Sequence, residues 1–326
     1  MTEVFLHVGM DKTGTTSIQR YMMRNYSDVQ GAVYYPQAHS LFNHELICSL
    51  VVSEQHIPVE TINFFGGHEE AFSVCYDWFN GLVADWREHQ FQKIVLSSEA
   101  FYSLPFYGVI NLKKLFSFVE GVQIKVICSV DNPASRYRSQ LIQRILDGRG
   151  LCPPHPQQVW QYINRYQRIF GKDNLAILDF AKSKASDDVI GQFLYAVGIE
   201  RQTKSLVLRE NSSMSAEALK VALTLDSGMS HYRRAEEVAR LFLVDQLIDG
   251  FTPPKLQDHI SEYVNAISDD YEKLAGTLEV QGYKSAFALE RKKFGCECNS
   301  IEEIFVFDAN RYAKVLHMFQ EVPECW

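Results

Sequence analysis

The chain has 326 residues, enough for one large domain or two ordinary ones. Hydrophobic residues make up 46% and charged residues 22%, with only 18 Gly and 10 Pro, which excludes disordered, collagen-like and coiled-coil chains. The net charge of −8 (32 basic against 40 acidic residues) excludes binding to nucleic acid or an anionic membrane through overall charge, so any anionic ligand must be held by local features.

Seven cysteines, an odd number spread along the whole chain, do not form the pattern of a small disulfide scaffold and are read as thiols. Residues 1–9 carry Glu3 and an apolar patch too short for a signal peptide. No stretch approaches the 18 or more apolar residues of a membrane span. A soluble protein of a reducing compartment, the cytoplasm, is expected.

Four apolar runs, residues 4–8, 93–97, 124–130 and 175–180, are predicted as buried strands of a parallel sheet. Each is short, rich in β-branched or aromatic residues, and followed by turn or helix signals. Ile18, Tyr21 and Met22, then Trp78, Leu82, Val83 and Trp86, have helical spacing between them. Alternating strands and helices imply an α/β fold with right-handed crossovers, whose ligands sit at the carboxyl ends of the strands. The residues just after Val8, Ser97 and Val130 are therefore the places to look for chemistry.

After Val8 the chain reads GMDKTGTTSIQ. Gly9 and Gly14 permit a tight turn close to a ligand, and a helix is predicted to begin near Thr15. Backbone N–H groups and the positive helix end then converge on one anion site. Lys12 and the hydroxyls of Thr13, Thr15 and Thr16 add donors. The nucleotide-kinase loop G-x-x-x-x-G-K-[ST] does not match, because Lys12 precedes Gly14.

The run at 93–97 leads into SSEAF, where Glu99 is a candidate general base at a strand end. His7, inside the first strand, is expected to be a packed or hydrogen-bonded core residue. The strand KVICSV is followed by DNPASRYRSQLIQ, in which Pro133 suits a first helical turn. Six arginines (136, 138, 144, 149, 165, 168) with one acid and no lysine make a local basic segment in an acidic protein. From Ser215 onward the chain is predicted as acid-faced helices broken at Pro253 and Pro254, with a strand-like IFVFD at 304–308. Cys296 and Cys298 lack a second Cys/His pair nearby, and no acidic pair suits Mg²⁺, so no metal is expected.

The order G-x-x-K-T-G-T-T-S-I-Q resembles the 5′-phosphosulfate loop of sulfotransferases that use 3′-phosphoadenosine 5′-phosphosulfate (PAPS), particularly bacterial, carbohydrate-modifying members. Asn132, Pro133, Arg136 and Ser139 resemble the N-P-x-x-R-x-x-S signature that holds the 3′-phosphate, although Asp131 stands where many members carry an arginine. The segments at 168–180, 192–200 and 209–219 resemble further parts of the same family. The resemblance implies a P-loop-like three-layer fold with a central parallel sheet flanked by helices, over a PAPS-binding core at 1–214. A mostly helical part follows at 215–326.

It also implies in-line transfer of a sulfuryl group to a hydroxyl or amine of an acceptor, expected to be a saccharide. Lys12, Thr13, Gly14, Thr15, Thr16, Ser17, Arg136 and Ser139 would bind PAPS, Lys12 would neutralise the departing oxygen, and Glu99 would serve as base. His44 competes for that role, since bacterial members carry a histidine after the first helix. The acceptor would meet residues 151–160, with His155 and Trp160, and the aromatic stretch 101–107. A small-molecule kinase with a P-loop and a non-catalytic nucleotide-binding descendant are the alternatives.

Overall fold

The computed structural model describes residues 2–28, 31–39, 41–117, 119–180, 183, 186, 188–201, 214–226, 228–268 and 298–321. The strands are β1 (Thr2–His7), β2 (Val33–Tyr34), β3 (Lys93–Ser97), β4 (Val122–Val130) and β5 (Leu175–Asp179). The helices, in chain order, are α1 (Thr15–Tyr26), α2 (Cys48–Val51), α3 (Val59–Phe65), α4 (His68–His89), α5 (Phe106–Ser117), α6 (Pro133–Leu146) and α7 (Val159–Phe170). There follow α8 (Val189–Val197), α9 (Ala216–Leu223), α10 (His231–Leu247), α11 (Asp258–Ile267), α12 (Ile301–Ile304) and α13 (Ala309–Glu321).

Two compact units emerge. One holds the described residues up to 131 and from 158 to 201; the other holds 132–157 and the described residues from 214 onward. The chain thus changes unit on entering α6 and again after residue 157, as well as where its composition turns helical.

In the first unit an all-parallel five-stranded sheet runs in the order β2-β3-β1-β4-β5. The fold is α/β, as the alternating pattern predicts. Period-two alternation sends Phe5, Val95 and Ile127 to one face, where they pack with Ile18, Tyr21 and Met22 of α1 and with Phe193, Leu194 and Val197 of α8. Val4, Leu6, Ile94, Leu96 and Val126, equally buried, belong to the opposite face, and α5 and α7 pack on β4. Helix α4 buries Ala71, Cys75, Phe79, Leu82 and Trp86, a stripe at spacings of three and four, so Trp78 and Val83 sit at its edge rather than its centre.

The chain moves outward to β2, returns through β3 to lie beside β1, and then crosses to β4 on the other side. The end of β1 is therefore the point where the strand order reverses, which in open α/β sheets is where a ligand crevice forms.

The second unit is helical. Its core gathers Tyr137, Leu141 and Ile145 of α6 with Leu219, Leu241, Ile260, Ile304, Phe305 and Val315. Helix α6 is held at both ends: the Ala134 N–H donates to Asn265 at 3.1 Å, and Arg234 donates to the Ile145 and Leu146 carbonyls at 2.9 and 2.8 Å. Arg311, 5% exposed, pairs with Asp245 at 2.7 Å and Glu217 at 3.3 Å and donates to Ser215 at 2.6 Å. A buried guanidinium with two carboxylates is tolerable only with such partners, since removing one strands a charge.

The strand-like reading of IFVFD is corrected. Ile304 ends α12 and only Phe305 makes a bridge, with Leu256, because a single residue pairs before the chain turns into α13. Residues 209–213 of the family-like turn, with Cys296 and Cys325, lie outside the described residues. Cys48, Cys75, Cys128, Cys152 and Cys298 carry thiols. Among the described residues no helix is long and apolar enough to cross a membrane.

Candidate functional site

The loop after β1 is built around one carbonyl. Thr13, fully buried, donates its hydroxyl to the Met10 carbonyl at 2.7 Å, and Thr15 reaches the same oxygen at 3.4 Å. The Met10 N–H is tied to the Ser129 carbonyl of β4 at 3.2 Å. Thr13 is thus scaffold: its proton is spent inside the loop, which sequence reading, counting it among the anion donors, did not foresee.

Gly14 takes φ 76° and stands at the N-terminus of α1, which has no side-chain cap. A Cβ there would meet Val189 Cγ1 at 3.0 Å and Phe180 at 3.2 Å, so both the dihedral and the space call for glycine. An uncapped first turn leaves its N–H groups without intrahelical partners, and no acid occupies it. Thr16 and Ser17 lie half-buried on that turn, and Lys12 is exposed beside it. Lys12 itself has φ 66°, an uncommon region for a residue with a Cβ. Strain of this kind is kept where the surrounding structure imposes it, commonly at ligand sites.

Glu99 sits two residues past β3, the strand next to β1, on a tightly anchored turn. The Ser98 hydroxyl accepts from the Ala100 N–H at 3.1 Å, and the Glu99 carbonyl accepts from Tyr102 at 3.1 Å. Tyr166 of α7 donates its hydroxyl to the Phe101 carbonyl, and Arg165 donates to Leu104 at 2.8 Å. Packing around the Glu99 carboxyl pushes its pKa up, Lys12 opposes the shift, Asp11 adds to it, a hydrogen bond from Thr15 opposes it, and Glu45 adds to it. Measured by its surface, however, Glu99 is an exposed residue, so water screens and weakens all of these effects. Lys12, Thr15 and Glu99 therefore share one electrostatic neighbourhood at the ends of β1 and β3.

His44 is fully buried and its ring is occupied on both sides: Ser97 N–H donates to Nδ1 at 2.9 Å, and Nε2 lies 2.7 Å from the Pro36 carbonyl. Burial holds it neutral, with a pKa lowered to about 4. This is the environment of a structural histidine, with neither nitrogen turned to an acceptor. Glu45, its neighbour, adds to the upward shift of Glu99 and accepts from the Thr61 hydroxyl at 2.9 Å. Sequence reading passed over Glu45; only its place in LFNHE, one residue after His44, could have drawn notice.

In the second unit Asn132 caps α6 by accepting from Ala134 and Ser135 at 2.9 and 3.4 Å, and Pro133 opens the helix. Arg136, half-buried one turn in, donates to Gln157 Oε1 at 3.0 Å, and Ser139 is half-buried one turn further. His155 is exposed on the segment leading to Gln157. In the first unit Arg165 and Arg168 lie over the rings of Tyr162 and Phe106, so part of the basic segment is engaged on aromatic faces. Phe101 and Tyr102 are core residues, whereas Phe106 and Tyr107 are exposed; only the far end of that aromatic stretch presents a surface.

The fold defines the class: an α/β protein whose central strand β1 ends in a loop of glycines, lysine and threonines, with a carboxylate just past the end of the neighbouring strand. No family model and no curated protein matches the chain. A sulfotransferase crystal structure from Alicyclobacillus acidocaldarius aligns over 71% of this chain and 93% of that one, at 17% identity and a TM-score of 0.42. A structure from a characterisation of the PezAT chromosomal toxin-antitoxin system of Streptococcus pneumoniae aligns over 73% and 88%, at 15% identity and a TM-score of 0.24. Neither likeness is close enough to carry a function to this chain. Among the described residues no group of three or more His, Cys, Asp or Glu is arranged to hold a metal ion.

Proposed function

We propose that the chain is a sulfotransferase that takes PAPS as sulfuryl donor, with its catalytic core in residues 1–214 and a hydroxyl or amine of a saccharide as acceptor. The observation that carries the reading is the shared neighbourhood of Lys12, Thr15 and Glu99 beside an uncapped helix start.

The donor set fits a 5′-phosphosulfate. The α1 amides, with Thr16 and Ser17, supply neutral donors, Gly14 keeps the turn open, and Lys12 supplies a cation. PAPS when bound supplies the sulfuryl group and the leaving nucleotide. Lys12 neutralises charge gathering on the bridging oxygen. Glu99 accepts the proton of the attacking group; burial of its carboxyl raises its pKa, which makes it a better proton acceptor, and Lys12 opposes that rise. Thr15, hydrogen-bonded to Glu99, orients that carboxylate. Arg136 and Ser139 are assigned to the 3′-phosphate by their motif alone. Calorimetric titration with 3′-phosphoadenosine 5′-phosphate, comparing wild type with Lys12→Ala, tests the reading.

A further inference from the structure

Beneath the anion loop lies a buried polar relay that no part of the proposed chemistry uses. His7 ends β1 with no exposed surface. Its Nδ1 lies 2.8 Å from Ser97 Oγ on β3, and its Nε2 lies 3.5 Å from Ser129 Oγ on β4. Gln19, from the helix that follows the loop, donates to Ser97 Oγ at 3.1 Å and to the Ser97 carbonyl at 3.3 Å. Since Ser97 Oγ accepts from Gln19, its own proton is available to His7 Nδ1, and Nε2 carries the ring proton towards Ser129. That assignment gives each ring nitrogen a partner of the right polarity. Phe193 of α8 covers the ring at a centroid distance of 4.9 Å. Burial keeps the imidazole neutral, its pKa lowered to about 3.

The ring is also the floor of the loop. A Cβ added to Gly9 would stand 2.8 Å from His7 Nε2, 3.2 Å from Cε1, and 3.1 Å from the Thr15 hydroxyl. Real Cβ atoms do not approach so closely, so the Gly9 backbone lies directly on the imidazole edge. The ring itself is pinned from both neighbouring strands and, through Ser97, from α1.

We propose that His7 is a positioning residue of the anion loop: wedged between Ser97 and Ser129, its imidazole sets the height at which the Gly9 backbone runs and so aims the loop and the start of α1 at the bound anion. The inference rests on reading the loop as an anion cradle, and it gives His7 no contact with the ligand and no proton to transfer. It also explains why glycine stands at position 9 on steric grounds, separately from the dihedral demand at Gly14.

The test is a size-complementation cycle read by calorimetric binding of 3′-phosphoadenosine 5′-phosphate to the full chain. Gly9→Ala is expected to weaken binding about tenfold or more in the wild-type background. His7→Asn keeps an amide where Nδ1 stood but removes the edge under Gly9. Alone it should weaken binding about tenfold, and adding Gly9→Ala to it should cost less than about threefold more. His7→Gln, which returns an amide to the Nε2 position, should stay within about threefold of wild type. An equal Gly9→Ala penalty in both backgrounds, or His7→Asn with unchanged affinity, would overturn the proposal. Gly9→Ala binding like wild type would overturn it without recourse to any His7 variant. If the wild-type protein binds no nucleotide, the ligand reading fails by itself. The wedge is then judged by thermal unfolding, where Gly9→Ala must lower Tm in the wild-type background and not in His7→Asn.

Discussion

The Ser97 N–H donates to His44 Nδ1 at 2.9 Å, and the His44 N–H donates to the Ser97 carbonyl at 2.9 Å. The exchange imitates a β-ladder where one is missing. Strand β2 pairs with β3 only at Lys93 and Ile94, so among the described residues no strand lies beside the outer edge of β3 at Ser97. A histidine fills the gap with one backbone and one side-chain group, and its second nitrogen reaches the Pro36 carbonyl. It thereby fixes the strand end from which Glu99 projects.

Two buried neutral histidines make stability acid-sensitive. The folded-state pKa values of His7 and His44, about 3 and about 4, lie below the ordinary 6.5, so the unfolded chain takes up these protons first as pH falls. Stability from this source is intact above pH 6.5 and lost on acidification towards pH 4, at up to about 1.4 kcal/mol per pH unit for each histidine. Urea unfolding at pH 7 and pH 5 measures it. His44→Asn, which keeps an acceptor for the Ser97 N–H, should reduce the loss between the two pH values by about 2 kcal/mol. An unchanged loss would mean that His44 is not a buried neutral group.

Lys12 holds a left-handed backbone at φ 66° that a side chain resists. Lys12→Gly should relieve it and stabilise the fold by about 0.5 to 1 kcal/mol in urea unfolding while abolishing sulfuryl transfer. A destabilised Lys12→Gly would show that contacts of the lysine side chain, rather than its role at the site, keep it there.

Glu99 as base predicts a transfer rate that falls at low pH as the carboxyl is protonated. Because Asp11 pushes the Glu99 pKa up, Asp11→Asn should move this acid limb to lower pH. Glu99→Gln should cut transfer by about 10²- to 10⁴-fold and leave nucleotide binding within about threefold. Transfer from radiolabelled PAPS to a panel of saccharides measures both; full activity in Glu99→Gln would remove it from the chemistry.

Much of the first unit's fold was legible because its strands are short, apolar and β-branched, and because the glycines after β1 mark the turn that leads into α1. What escaped depends on distant partners. β2 is only two residues, Val33 and Tyr34, too brief to show a period. Thr13 looked like a ligand donor until the fold turned it towards Met10, and His44 looked like a base until Ser97, 53 residues away, was seen to occupy it. IFVFD misled because a run of apolar residues bounding a helix and a run forming a strand have the same composition.

The central claim is that the loop from Gly9 to Ser17 binds the 5′ end of an adenosine bisphosphate, and isothermal titration of the full chain with 3′-phosphoadenosine 5′-phosphate tests it most directly. The expected result is a 1:1 isotherm with Kd near or below about 10 μM, weakened at least about tenfold by Lys12→Ala. No saturable binding by the folded wild-type protein, or equal affinity in Lys12→Ala, would contradict it.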